Sequence, residues 1–222
     1  MNIYLLPGLG ADERLFQYLD LEGHKVSTLK WIPPLKNESI EEYAKRISSN
    51  IVGVNPVLVG MSFGGMMAVE LAKVMELNKI ILISSAATSN ELPALYRIAG
   101  HTKFYKVITG RLLKKSHQIL NWVMGVKDPI RKELLAAILR DTDEHFLHWA
   151  VEKIVTWKNL TVPSNISRIH GDKDRILPLR RTDYLVKGGG HLMVADRAAE
   201  VSAAIKEILL AIDNVPHTAP SK

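Results

Sequence analysis

Residues 56–65 read Pro-Val-Leu-Val-Gly-Met-Ser-Phe-Gly-Gly. An apolar run typical of a buried strand leads here into a glycine-rich turn with Ser62 at its apex, and residues 66–75 then predict an amphipathic helix. A strand that turns sharply into a helix needs glycines beside the apex, because a Cβ there would collide with the crossing backbone. The stretch therefore predicts a strand, a tight turn and a helix, with the Ser62 hydroxyl exposed over the free N–H groups of the first helical turn.

The residues around Ser62 match the pattern Gly-x-Ser-x-Gly, in which the serine acts as a nucleophile. Taken alone, the pattern is loose, since glycine-rich turns with an inert serine match it by chance. The strand before it, the helix after it and the second glycine at Gly65 favour the nucleophilic interpretation. Ser62 is therefore the first candidate for a catalytic residue.

The length and composition of the chain limit the classes of protein. Its 222 residues, 47% of them hydrophobic, suffice for one domain with a substantial core, or for a domain with an inserted cap. No apolar run reaches about 18 residues, and a predicted strand follows Met1-Asn2 directly, so we expect neither a transmembrane helix nor a signal peptide. We expect a cytoplasmic protein. The absence of cysteine excludes disulfides, a cysteine nucleophile and a thiolate metal site.

Alternating strand and helix patterns predict an α/β fold, with a mostly parallel sheet of about six strands and helices on both of its faces. The strands are predicted at residues 3–6, 25–28, 57–60, 79–84, 166–170 and 183–187. Ser39 and Glu42 form a capping-box pattern ahead of one helix, and Asp196 is predicted to start the last helix. The apolar face of that last helix carries Val201, Ile205, Ile208 and Leu209.

Residues 88–157 break this alternation and show only helical signals. Asp128 followed by Pro129 is a favourable helix start, because aspartate caps the first turn and proline suits the first helical position. Apolar side chains then recur at helical spacing at Phe146, Trp149, Ala150, Ile154 and Trp157. We therefore predict a core domain at residues 1–87 and 163–214, a helical cap inserted at residues 88–162 and a flexible tail at residues 215–222.

Two further segments accompany the serine turn. They are His-Gly-Asp-Lys-Asp-Arg-Ile-Leu-Pro at residues 170–178 and Gly-Gly-Gly-His at residues 188–191. Together with Ser62 they resemble the α/β-hydrolase family, in which the nucleophile, the acid and the histidine follow one another in this order. The resemblance covers residues 1–87 and 163–211. It implies an α/β-hydrolase fold with a Ser-His-Asp triad and no metal or organic cofactor.

His191 is the candidate base, because it follows three glycines at the carboxyl end of the last predicted strand, where active sites of open α/β sheets lie. The resemblance aligns the family's acid with Asp174. Asp172 is the alternative, and the aspartate that is not the acid is expected to be a turn residue. His145 and His148 lie three residues apart on a predicted helix without a third ligand, which favours a solvated face over a metal site.

The resemblance also implies an oxyanion hole made of two backbone N–H groups. One belongs to Phe63, directly after the nucleophile, and the other to residues 7–10, where Leu9 is the candidate. The chain begins at what would be the family's third strand, which predicts six strands instead of the usual eight. The link between the strands that carry Asp174 and His191 lacks a recognisable helix, so this link is short and nearly extended, or the last strand pairs unconventionally.

The net charge of +6 lies in one segment, since seven basic and no acidic residues occur between Leu92 and Lys127. They are Arg97, Lys103, Lys106, Arg111, Lys114, Lys115 and Lys127. A solvated basic face is the favoured interpretation, and the alternative is a surface that attracts an anionic ester or a coenzyme A thioester. Nucleic-acid binding is disfavoured, because the segment has no recognisable recognition helix or aromatic stacking platform.

We predict a serine hydrolase that cleaves a carboxylic ester or thioester of a small molecule through an acyl-enzyme. One alternative is a hydrolase or lyase that cleaves a C–C bond with the same triad. Another is a small-molecule receptor in which the triad survives but turnover is negligible. The substrate depends on the cap, which matches no pattern, and the oligomeric state is not predicted.

Overall fold

The described residues build a parallel sheet with helices on both faces. The computed structural model describes residues 1–103, 124–126 and 128–213, so the predicted tail lies outside the described residues. The strands are β1 (Asn2–Leu6), β2 (Lys25–Thr28), β3 (Val57–Met61), β4 (Lys79–Ile83), β5 (Ile166–Gly171) and β6 (Tyr184–Val186). They pair in parallel in the order β2-β1-β3-β4-β5-β6. The predicted six-stranded α/β sheet is therefore confirmed.

Seven α-helices are found in the described part of the chain, together with short 3₁₀ turns. They are α1 (Ile40–Ile47), α2 (Phe63–Leu71), α3 (Ala94–Thr102), α4 (Pro129–Asp141), α5 (Glu144–Thr156), α6 (Met193–Asp196) and α7 (Ala198–Asp213). The three helices α3, α4 and α5 all lie between β4 and β5 in the chain. Among these described helices, none is long and apolar enough to cross a bilayer.

The sheet divides the core into two layers. Along β1, Tyr4 and Leu6 pack on one layer and Ile3 and Leu5 on the other, as the two-residue period of a strand requires. Apolar residues of α1, α2 and α5 fill the first layer, and those of α4, α6 and α7 fill the second. β3 is buried along its whole length, as its apolar run predicts, whereas the edge strand β2 is largely exposed.

The helix after Ser62 differs from its prediction. The sequence predicts an amphipathic helix at residues 66–75. In the structure, α2 runs from Phe63 to Leu71, and every residue in it is buried. The reason is its position between the central strand β3 and α1, where no face meets solvent. Its one charged residue, Glu70, accepts hydrogen bonds from Lys73 Nζ at 2.7 Å and from Trp157 Nε1 at 2.7 Å.

The capping signals place two helix starts correctly and one incorrectly. Ser39 and Glu42 form the predicted capping box of α1, and the Asp128 carboxylate accepts from the Arg131 amide at the start of α4. Asp196, by contrast, ends the short helix α6, and α7 starts at Ala198. The apolar turn of α6 is buried in the core, which outweighs the weaker capping signal of Asp196. The predicted apolar face of the last helix is buried, as expected.

The link at residues 172–183 joins β5 to β6 without a helix, and β6 nevertheless pairs in parallel with β5. Its last residues are fixed to β5 by three hydrogen bonds around Arg168. The Arg168 carbonyl accepts from Thr182 Oγ1 and from the Asp183 amide, both at 3.0 Å, and the Arg168 amide donates to Asp183 Oδ2 at 2.8 Å. The sequence left two possibilities, a short and nearly extended link or unconventional pairing of the last strand, and the parallel pairing of β6 excludes the second.

Candidate active site

Ser62 stands at a strained turn between β3 and α2. Its backbone angles are φ 52° and ψ −120°, in a region that residues with a Cβ rarely adopt. The Ser62 amide donates to the Ile83 carbonyl at 3.0 Å, and its carbonyl accepts from the Gly65 amide at 3.0 Å and from Ser85 Oγ at 2.6 Å. These bonds to β4, to the residues after β4 and to the first turn of α2 hold the strained backbone in place.

Glycines allow this turn to lie against the loop after β1. A Cβ on Gly60 would lie 2.5 Å from the Gly64 carbonyl oxygen, and a Cβ on Gly64 would collide with the carbonyl oxygens of Leu6 and Pro7. Both positions therefore require glycine. The close approach brings the loop at residues 7–10 next to Ser62 at the carboxyl edge of the sheet.

His191 lies beside Ser62. Its Nε2 is 2.9 Å from Ser62 Oγ, and the side chain is buried. The preceding glycines make this position possible, since Gly188 has φ +72° and a Cβ on Gly171 would collide with the Gly189 backbone. The glycine loop therefore packs directly on the end of β5 and brings the imidazole to the serine.

Asp174 completes the arrangement from the other side of the imidazole. Its Oδ2 is 2.8 Å from His191 Nδ1, and its Oδ1 accepts from the amides of Ile176 and Leu177, both at 2.9 Å. Burial by itself raises the pKa of this carboxyl group, but hydrogen bonds from His170 and His191 outweigh burial and hold the pKa of Asp174 well below its ordinary value. Asp174 is therefore ionised at neutral pH.

The structure brings only one of the two candidate aspartates to the histidine. Asp172 is exposed, and its Oδ1 accepts from the Gly188 amide at 2.6 Å. This bond fastens the glycine loop to the residues after β5. Asp172 thus occupies the turn position that the sequence analysis assigned to whichever aspartate is not the acid.

The two candidate oxyanion donors, Leu9 and Phe63, line the same cavity as Ser62. Within the part of the chain that the structure describes, neither amide donates a hydrogen bond to a protein acceptor. Phe63 is the first residue of α2, where backbone N–H groups point away from the helix and favour negative charge. The Leu9 loop is held by Thr142, whose hydroxyl donates to the Gly10 carbonyl at 3.0 Å.

A cavity of about 460 Å³ opens beside Ser62 and His191. Its walls come from β3, from α2 to α5 and from the residues after Asp174, and they are mainly aliphatic. They include Met61, Met66, Leu92, Tyr96, Leu135, Leu139, Leu147, Val151, Ile154 and Leu177. Apart from His191 and Tyr96, no residue described in the lining has an ionisable side chain.

One face of helix α5 lines the cavity, and the other packs on the core. Leu147, Val151 and Ile154 line the cavity, whereas the opposite face packs on the core through Phe146, Trp149 and Ala150. The core face is also fixed by hydrogen bonding, because Trp149 Nε1 donates to the Glu38 carbonyl at 2.9 Å. Helix α3 approaches α5 closely at Gly100, where a Cβ would collide with the Val155 carbonyl.

Sequence reasoning missed the cavity walls and the contacts around the acid. Tyr96 and Met61 carry no local signal, because which helix face meets a cavity is decided by tertiary packing. His170 is the first residue of the quoted segment at residues 170–178, but the sequence predicts no role for it, and Ser85 matches no pattern. Most of the basic segment, including Lys114, Lys115 and Lys127, lies outside the described residues, and the described bases Arg97 and Lys103 are exposed.

A family model described as the alpha/beta hydrolase family matches residues 3–204. The chain belongs to this family, which confirms the resemblance read from the sequence, and the protein is a hydrolase. No curated protein matches the chain.

Solved structures of several enzymes share the fold at low sequence identity. MenH from S. aureus is 16% identical with a TM-score of 0.71, covering 96% of this chain and 95% of that chain. An esterase from Exiguobacterium antarcticum is 17% identical with a TM-score of 0.70, covering 96% and 92%. A thermophilic esterase from Thermogutta terrifontis is 16% identical with a TM-score of 0.68, covering 96% and 90%. At these identities the likeness shows the fold alone.

Proposed function

We propose that the protein is a serine hydrolase that cleaves a carboxylic ester or thioester through an acyl-enzyme. The observation that carries this proposal is the continuous hydrogen-bonded line from Ser62 Oγ to His191 Nε2 at 2.9 Å and from His191 Nδ1 to Asp174 Oδ2 at 2.8 Å. A serine hydroxyl becomes a useful nucleophile only when a base takes its proton, and the base must be held in one tautomer by an acceptor behind it.

In the first half of the reaction, Ser62 Oγ attacks the acyl carbon and its proton passes to His191 Nε2. The carbonyl oxygen becomes an oxyanion that the amides of Leu9 and Phe63 stabilise. When the intermediate collapses, the bond to the leaving group breaks and His191 returns the proton to the departing alcohol or thiol. Water then repeats the same steps on the acyl-enzyme, releasing the carboxylic acid and restoring Ser62.

Asp174 orients His191 and stabilises the imidazolium that forms in each half-reaction. Its low pKa, with burial opposing and hydrogen bonds from His170 and His191 prevailing, supports this role because the carboxylate stays charged throughout. The two backbone amides on Oδ1 fix the carboxylate plane, and His191 Nδ1 lies 2.8 Å from Oδ2 and 3.0 Å from Oδ1.

Residues 88–162 act as a cap over the site in this proposal, with α3, α4 and α5 supplying nine of the 23 residues that line the cavity. The aliphatic lining supports a substrate whose acyl or alcohol group is uncharged and apolar next to the reacting bond. An anionic group of a substrate would have to remain outside this aliphatic lining. We propose that the protein works in the cytoplasm on a small molecule.

The test is labelling of the purified protein with a fluorophosphonate probe, followed by a panel of nitrophenyl esters and acyl thioesters. Labelling confined to Ser62, with turnover of at least one class of substrate, is expected. Ser202→Ala is the matched control, since Ser202 is a buried serine on α7 that accepts from the Asp20 amide and lies outside the cavity lining. Rapid labelling without any turnover would favour the receptor alternative, and absence of labelling would contradict the proposal.

A further inference from the structure

His170 is a buried histidine that the proposed reaction does not use. It lies on β5 and is 4% exposed. Its Nε2 is 2.7 Å from the Leu177 carbonyl oxygen and 3.3 Å from Asp174 Oδ2. A carbonyl oxygen and an ionised carboxylate can only accept hydrogen bonds, so Nε2 must carry a proton in this arrangement.

We propose that His170 is a positioning residue for the triad, whose Nε2–H is shared between the Leu177 carbonyl and Asp174 Oδ2 and aims the carboxylate at His191. The inference rests on the proposed function, because it assigns a role relative to the triad of Ser62, His191 and Asp174. In this arrangement two imidazoles serve one carboxylate. His191 exchanges protons with the substrate, whereas His170 keeps its proton.

The need for a second donor follows from the burial of Asp174, whose side chain has no exposed surface. Oδ1 accepts from two backbone amides, while the donors to Oδ2 within the described chain are the imidazoles of His191 and His170. A buried carboxylate oxygen with incomplete hydrogen bonding is costly. Burial raises the pKa of Asp174, and the His170 hydrogen bond is the largest influence that opposes it.

His170 also closes a small ring with the loop that carries the acid. Leu177 donates its amide to Asp174 Oδ1 at 2.9 Å and accepts from His170 with its carbonyl at 2.7 Å. A merely structural role would be to fasten this loop to β5. That role and the positioning role both predict lower stability when His170 is replaced, so stability alone does not distinguish them.

The pH dependence of kcat/KM distinguishes the positioning role of His170 from the structural one. The titratable groups around Asp174 are His170 on β5, His191 after β6 and Tyr96 on α3, whose pKa is raised by burial and then by the charge of Asp174. Without the His170 donor, more of the negative charge on Oδ2 is left for His191, which favours the imidazolium. Because His191 must be neutral to act as the base, the acid limb of kcat/KM moves to higher pH.

The experiment compares His170→Phe with His170→Gln, whose terminal N–H can still donate at about the same reach. Val186→Ala, a buried residue of the neighbouring strand β6, is the control for lost packing without a lost donor. His170→Phe should lower kcat by about tenfold to a hundredfold, the cost of one lost buried hydrogen bond. The acid limb of the kcat/KM profile of His170→Phe should move to higher pH. His170→Gln should restore most of the lost kcat and most of the shift in the acid limb. An acid limb in His170→Phe that superimposes on those of the wild type and Val186→Ala would overturn the proposal.

A second measurement needs no stable variant. Nitrogen NMR of the wild-type protein with labelled histidine reports which ring nitrogens carry protons, and His170 is expected to carry a proton on Nε2. A proton on Nδ1 with a bare Nε2 would overturn the proposal. Fluorophosphonate labelling of the same samples distinguishes failure of this inference from failure of the proposed function. Unlabelled Ser62 contradicts the proposed function. Labelled Ser62 together with a bare His170 Nε2 contradicts only this inference.

Discussion

The hydroxyl of Ser85 donates a 2.6 Å hydrogen bond to the carbonyl oxygen of Ser62, joining the residues after β4 to the candidate nucleophile. The same side chain borders Gly65, where an added Cβ would lie 2.6 Å from Ser85 Cβ. Ser84, just before it, adopts a positive φ of 46°, so the chain is bent where it reaches the turn. The strained backbone at Ser62 is therefore held by a neighbouring strand as well as by its own glycines.

Replacing Ser85 with alanine should weaken this support. We expect a loss of about 1 kcal/mol in the free energy of unfolding, typical of one hydrogen bond, and slower fluorophosphonate labelling of Ser62. Urea unfolding and labelling rates measure the two effects. Ser202→Ala also removes a buried hydroxyl and should lower stability without changing the labelling rate, so equal labelling rates in the two variants would refute a specific role for Ser85.

Two replacements of Ser62 should differ in their effect on stability, although both abolish activity. Alanine shares the strain of serine at φ 52°, so Ser62→Ala should leave stability nearly unchanged, whereas Ser62→Gly relieves the strain and should stabilise the fold by about 1 kcal/mol. Turnover should fall by about 10⁴-fold or more in both. Thermal unfolding and ester turnover test this, and activity within tenfold of the wild type in either variant would exclude Ser62 as the nucleophile.

The two aspartates after β5 should respond very differently to amide replacement. Asp174→Asn should lower turnover by about 10³-fold to 10⁴-fold, because an amide cannot hold His191 in the required tautomer. Asp172→Asn should have a small effect on turnover, since Asp172 contacts only the Gly188 amide among the contacts described for it. Steady-state kinetics of the two variants give the comparison, and a larger loss in Asp172→Asn would reverse the assignment.

The ionised form of Asp174 should also contribute to stability in a pH-dependent way. Its folded-state pKa is held below the value of an unfolded aspartate by hydrogen bonds that outweigh burial. The contribution is therefore complete above about pH 4 and is lost as the pH falls through the folded value. The stability difference between the wild type and Asp174→Asn should shrink as the pH is lowered below this point in urea titrations, and a difference that grows there would contradict the pKa assignment.

The cavity should select against charge next to the reacting bond. A neutral nitrophenyl ester should have a higher kcat/KM than an anionic ester of matched acyl length, because the described lining contains no lysine or arginine to pair with the anion. Val151→Lys should reduce this preference by at least about tenfold. Val74→Lys adds the same charge on an exposed site away from the cavity and should leave the preference unchanged.

The salt dependence of the same two esters tests the basic segment. If its charge attracts anionic substrates, kcat/KM of the anionic ester should fall more steeply with ionic strength than that of the neutral ester. Reversing Lys114 and Lys115 to glutamate should then remove the difference. Equal salt dependence in the wild type would leave the solvated-face interpretation.

Local signals were sufficient for most of the sheet and for the candidate triad. The capping box at Ser39 and the glycines around Ser62 report backbone requirements that any fold containing those turns must meet, so they could be read without a partner. The order of Ser62, Asp174 and His191 added a long-range constraint that composition alone does not contain. The structure brings these three side chains into contact.

The remainder depends on contacts between distant elements. Burial of α2 on every side follows from its place between β3 and α1, which an apolar pattern does not distinguish from one-sided burial. The start of α7 was predicted two residues early, because Asp196 resembles a helix cap while the buried turn of α6 precedes it. The contact of His170 with Asp174 depends on the path of the link after β5, which carries no periodic pattern.

On α5, residues that pack in the core and residues that line the cavity lie on different faces. Substrate choice can therefore change during evolution without loss of stability. Phe146, Trp149 and Ala150 pack in the core, whereas Val151 on the other side lines the cavity and is not part of the described core. A substitution at position 151 can therefore alter which substrate fits at little thermodynamic cost. A lineage that carries this helix can explore new substrates one residue at a time, because the residues that keep it folded are not the residues that recognise the substrate.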